Sequence, residues 1–99
     1  MSRKRLDPIP PGEILREEFM RPLGITASAL ARDIGVPANR ISQIVNGKRA
    51  FSADTALRLG KYFGMSPEIW LDLQSEYELR LARQTTWKHV EPRVRTRVA

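Results

Sequence analysis

The side chains richest in recognition chemistry fall in one short stretch. Ala38, Asn39, Ser42, Gln43 and Asn46 are spaced so that a helix opening near Pro37 turns them to one side, opposite Ile41 and Ile44. Asn and Gln donate and accept at once and can bond an adenine edge in pairs, while an alanine methyl can rest on a thymine methyl. Amides are poorer helix formers than Lys or Glu, so a face rich in them and nearly free of charge points to reading bases rather than to a merely solvated surface. Groups suited to phosphate stand around it. Thr26 and Ser28 sit at the start of a preceding helix, where backbone amides favour anions. Arg40, Lys48 and Arg49 lie in and after the reading helix. Phosphate contacts set position and orientation without carrying sequence.

Two helices joined by a sharp turn are needed to present such a face. Their close crossing asks for a small residue in the first helix, a glycine in the turn and apolar residues on either side. Ala31, Gly35 and the set Leu30, Ile34, Val36, Ile41 and Ile44 meet each demand. A first helix is expected over 11–21, with proline and Glu13 at its start and Pro22 and Gly24 ending it. Thr26 caps a helix over 27–34, Gly47 closes one over 37–46, Ser52 caps one over 53–63, and Ser66 caps one over 67–84. On the last, Ile69, Trp70, Leu73, Tyr77 and Leu81 form a stripe for the core. Leu71, Leu79 and Ala82 form a second stripe, which suits a second copy of the chain better than a tail folded back over it. From Thr85 onward the pattern allows strand or coil. The division is therefore a basic arm over 1–10, a helical domain over 11–84 and a basic tail over 85–99.

The balance of the 99 residues fits this layout. The net charge of +6 is concentrated at the ends, +3 over 1–5 and +5 over 80–99, leaving −2 between them. Within that acidic middle, 34–53 holds three cations and no acid, a basic patch that suggests an oriented face for a polyanion. There are no cysteines, which excludes disulfides and thiolate metal sites and fits a reducing cytoplasm. No apolar run approaches the roughly 20 residues of a membrane span, and the N-terminus has no apolar signal region. His89 is the only histidine and cannot build a metal site or triad alone. Glu13, Glu17 and Glu18 have no nucleophile beside them, and no phosphate-binding glycine loop occurs. No enzyme, cofactor or small-molecule substrate is expected.

The segment from Thr26 to Gly47, with Pro11-Gly-Glu-Ile-Leu-Arg-Glu-Glu-Phe before it and Ser52-Ala-Asp-Thr-Ala-Leu-Arg-Leu and Ser66-Pro-Glu-Ile-Trp-Leu-Asp-Leu-Gln after it, resembles the HigA family of antitoxins, within the lambda-repressor-like helix-turn-helix group. The likeness covers about residues 8–80. It implies an all-α, five-helix domain, a homodimer that binds its own operator DNA, and neutralisation of a small HigB-type toxin that cleaves mRNA. It further implies base reading by Ala38, Asn39, Arg40, Ser42 and Gln43, with phosphate contacts near Thr26, Asn46, Lys48 and Arg49. The acidic first helix and its arm, 1–21, would attract a basic toxin. The alternatives are a stand-alone phage-type repressor, an interaction module that has lost DNA binding, and an RNA binder, for which aromatic stacking platforms are missing.

Overall fold

A computed structural model describes residues 7–98 as helices joined by short turns, with no strand among them. The first helical run, α1, covers 11–23 in three windings: α over Pro11–Ile14, π over Leu15–Met20 and α over Arg21–Leu23. Of the two residues expected to end it, it passes through Pro22 and stops at Gly24 in the left-handed conformation (φ 64°). A proline inside a helix lacks a donor and crowds the carbonyl one turn back. The wider π winding immediately before it, ending with the Arg21 amide donating to the Arg16 carbonyl, loosens that turn.

Helices α2 (Ala27–Ile34) and α3 (Ala38–Val45) follow, joined at Gly35 (φ 75°). Thr26 Oγ1 accepts from the Ala29 amide at 3.1 Å and so caps α2. Pro37 takes the position just before α3 in extended conformation. Helix α4 (Ala53–Phe63) is capped by Ser52, whose Oγ accepts from the Thr55 amide at 3.2 Å, and ends at Gly64. Helix α5 is Glu68–Gln84. Ser66 does not cap it: Pro67 already has helical angles, and the Ser66 hydroxyl instead donates to Glu68 at 2.6 Å, holding that carboxyl below its usual pKa. Of the strand and coil left open by the sequence, the tail takes coil over 94–98 only, and before that it is helical. It forms a short helix α6 (Trp87–Val90) and a 3-10 turn (Glu91–Arg93), restarting after Thr85 ends α5 with its hydroxyl bonded to the Leu81 carbonyl at 2.8 Å.

The core is the set of apolar faces these spacings bring together. Leu15, Leu30, Ala31, Ile34, Ile41, Ile44, Ala56, Leu59 and Trp70 are buried. Trp70 is fully enclosed, stacked on Phe51 at 5.0 Å and tilted against Phe19 at 5.1 Å. Such ring pairs add to the area they bury. Gly12 lies so close to the end of α3 that any Cβ would land inside the Ile44 carbonyl, and Arg16 of α1 donates to the Val45 carbonyl at 3.4 Å. Helix α1 thereby buttresses the C-terminal end of α3. Of the stripe expected on the core, Trp70, Leu73 and Tyr77 are buried or half-buried, but Ile69 and Leu81 are exposed. Ile69 lies at the first turn beside the enclosed Trp70, and by Leu81 the helix has run past the domain, so no core lies beneath it.

Candidate nucleic-acid interface

Helix α3 is anchored on one side and open on the other. Ile41 and Ile44 are buried, whereas Ala38, Asn39 and Asn46 are exposed and Arg40, Ser42 and Gln43 are half-buried. The sequence-derived face is therefore assembled as one surface on the second helix of the helix-turn-helix. Asn39 and Gln43 lie one turn apart along it. The Ser42 hydroxyl approaches the Ala38 carbonyl at 3.4 Å, so it is turned along its own helix. The fixed turn behind α3 rests on Val36, whose amide bonds the Ala31 carbonyl at 2.9 Å.

The phosphate candidates flank this face. Thr26 and Ser28 are both exposed at the first turn of α2, where the leading amides of a helix have no partner inside it. Lys48 and Arg49 are exposed on the loop after α3. That loop is held rather than loose. The Lys48 amide bonds the Gln43 carbonyl at 2.8 Å, and Gly47 supplies the positive φ of 74°. Beyond it, Phe51 is buried and its amide donates to Gln74 Oε1 of α5 at 3.2 Å. The other end of the Gln74 amide donates to Glu78 at 2.8 Å.

Two residues that the sequence offered only within the family likeness, not as site residues, join the site. Asp54, in the first turn of α4, accepts from Arg40 Nη1 and from Arg58 Nε, each at 2.9 Å. Arg58 Nη1 also donates to the Ile34 and Gly35 carbonyls at 2.7 and 3.2 Å, closing the end of α2. The Arg58 hydrogen bond, then Arg40, holds the Asp54 carboxyl below its ordinary pKa. The i, i+4 spacing of Asp54 and Arg58 was the available signal for their pairing; nothing in the sequence ties Asp54 to Arg40, fourteen residues away. Of the second stripe on α5, Leu71 and Leu79 are exposed large apolar side chains and Ala82 is exposed beside them. Among the described residues, no cluster of three metal-ligating side chains occurs and no helix is long and apolar enough to cross a membrane.

Comparison with known proteins gives these features a context. The helix-turn-helix family model matches residues 15–70. Antitoxin HigA-1 of Vibrio cholerae is 37% identical over 95 residues, 93% of this chain and 90% of that protein. Among solved structures, the Pseudomonas aeruginosa antitoxin HigA with the higBA promoter has a TM-score of 0.86 and 44% identity, covering 92% of this chain and 99% of that one. The antitoxin GraA in complex with its operator has a TM-score of 0.89 and 40% identity over the whole of both chains.

Proposed function

This chain belongs to the helix-turn-helix family and, within it, to the HigA antitoxins, and from that membership we propose that it is a cytoplasmic operator-binding autorepressor and the antitoxin of a HigB-type, mRNA-cleaving toxin. Its work is binding, not catalysis. The carrying observation is the outward face of α3, with Asn39 and Gln43 presented beside Lys48 and Arg49, in a chain that matches an operator-bound antitoxin over its full length. Ala38, Asn39, Arg40, Ser42 and Gln43 read base edges in the major groove. Thr26, Ser28, Asn46, Lys48 and Arg49 hold the backbone on either side.

The working unit is a homodimer joined through α5 and the tail, with Leu71, Leu79 and Ala82 at the contact. Two copies match two half-sites about 34–36 Å apart. The toxin meets the acidic first helix, where Glu18 is exposed and Glu17 is half-buried between Arg16 and Arg21; the part of the arm over 1–6 lies outside the described residues. The deciding experiment is an anisotropy titration of the full chain on duplex from its own upstream region, against a scrambled duplex at the same salt. Tight binding lost on scrambling is expected. Equal, weak and salt-sensitive binding to both overturns the repressor reading and leaves an interaction module.

A further inference from the structure

Within the proposed reading face, and among the described residues, Arg40 is the one side chain hydrogen-bonded to another helix. A carboxylate beside a surface meant for a polyanion opposes binding, so its presence there calls for a compensating role. Asp54 Oδ2 receives Arg40 Nη1 of α3 and Arg58 Nε of α4, both at 2.9 Å, and Arg58 reaches on to the Ile34 and Gly35 carbonyls. One continuous set of charge-assisted hydrogen bonds thus runs from the turn of the helix-turn-helix to the reading helix. Arg40 is half-buried and lines an open groove of about 380 Å³ with Arg49, Ala50, Ser52, Asp54 and Thr55. The guanidinium carries five N–H donors in a fixed plane, and the bond to Asp54 uses only one edge of it.

We infer that Asp54 is a positioning residue for operator recognition: it fixes the Arg40 guanidinium in one orientation at the reading face, with Arg58 steadying the carboxylate from behind. An arginine held before binding loses less side-chain freedom on binding, and it can meet only the base or phosphate that lies along its free edge. Asp54 therefore raises discrimination between operator and other DNA while lowering attraction to DNA in general. A carboxylate acting only as a first-turn helix charge, or only through folding, changes both affinities alike.

The inference rests on the operator-reading function above, and the test separates the two. The full-length chain, Asp54→Ala, Arg40→Ala and the double variant are titrated on its own upstream duplex and on a scrambled one at one salt, after thermal melting shows each to be folded. In Asp54→Ala the ratio of operator to scrambled affinity falls about tenfold, while scrambled DNA is bound as well as before or better. The double variant matches Arg40→Ala. Asp54→Asn keeps the shape but weakens the bond, and it lowers the ratio severalfold; it carries the test where the alanine variant does not fold. An unchanged ratio in the folded variants overturns the inference alone, as does an equal loss when Asp54 is removed from the Arg40→Ala background. A wild-type chain that binds both duplexes alike overturns the operator reading and the inference with it.

Discussion

At the scale of single residues, the proposed site divides into side chains that read and side chains that hold, and the two make opposite predictions. Gln43 is half-buried on α3, with its amide carried by the helix and the helix anchored by Ile41 and Ile44. An amide placed this way and paired to a base edge contributes about 1–3 kcal/mol of discrimination. Gln43→Ala is expected to weaken operator binding by about that amount and to leave scrambled DNA nearly unaffected; an unaltered preference in the titration removes Gln43 from the reading set. Lys48 is exposed on the loop fixed by Phe51 and Gln74. In its proposed role the ammonium meets phosphate, which every sequence carries. Lys48→Ala should weaken both duplexes by a similar factor and reduce the slope of log affinity against log salt by about one. A change in preference among operators, at constant slope, would place Lys48 among the readers instead.

At the scale of elements, what was legible in the sequence was what local chemistry decides. Glycines with positive φ at 24, 35, 47 and 64, side-chain caps at Thr26 and Ser52, and the burial of Leu30, Ala31, Ile41 and Ile44 all follow from residue type and period. The open face of α3 follows from the same period, because a side buried by Ile41 and Ile44 leaves the other one open. Helix α1 was harder, because a proline normally marks an end and only a π winding lets the chain pass it. Contacts across the fold were not legible: neither Asp54 with Arg40 nor Gly12 against α3 leaves a local pattern. Gly12 gives an element-scale prediction because its role is close approach, not backbone freedom. Gly12→Ala sets a methyl into the Ile44 carbonyl, where the obstacle is backbone. Overpacking of this kind costs about 1–3 kcal/mol or more, and it forces α1 away from the end of α3. Gly47→Ala meets nothing within 4 Å and bears only the strain of φ 74°, about 1–2 kcal/mol. Thermal melting should therefore rank Gly12→Ala as the more damaging change. The reverse order would mean that α1 yields freely and does not buttress α3.

At the scale of the whole molecule, the proposed dimer needs a surface on which a second copy can sit. The radius of gyration is 16.3 Å, whereas a compact chain of this length has about 13 Å. The second half of α5 and the tail lie outside the packed core, and every described residue from Glu78 to Val98 is exposed. Leu79 is 53% exposed, Trp87 39%, Val90 42% and Val94 57%. Helix α6 turns back only far enough for Trp87 to border a hollow with Leu79, Ala82, Arg83 and Thr86; it does not cover the stripe. Apolar side chains held on a projecting helix, with no core beneath, suit a self-complementary contact across a two-fold axis. In the proposed dimer this surface sets the spacing of the two reading helices, so its loss must reach the DNA. The double change Leu79→Glu and Trp87→Glu leaves the core untouched, since neither residue belongs to it. Sedimentation should show the wild type as a dimer and the variant as a folded monomer with an unchanged melting transition of its domain. Operator affinity should fall by about a hundredfold or more, because linked half-sites multiply rather than add. A variant that remains dimeric would move the interface to another face, with α1 the next to test. A wild type that sediments as a monomer, yet binds its operator tightly, would leave the exposed end of α5 without a second copy to cover it.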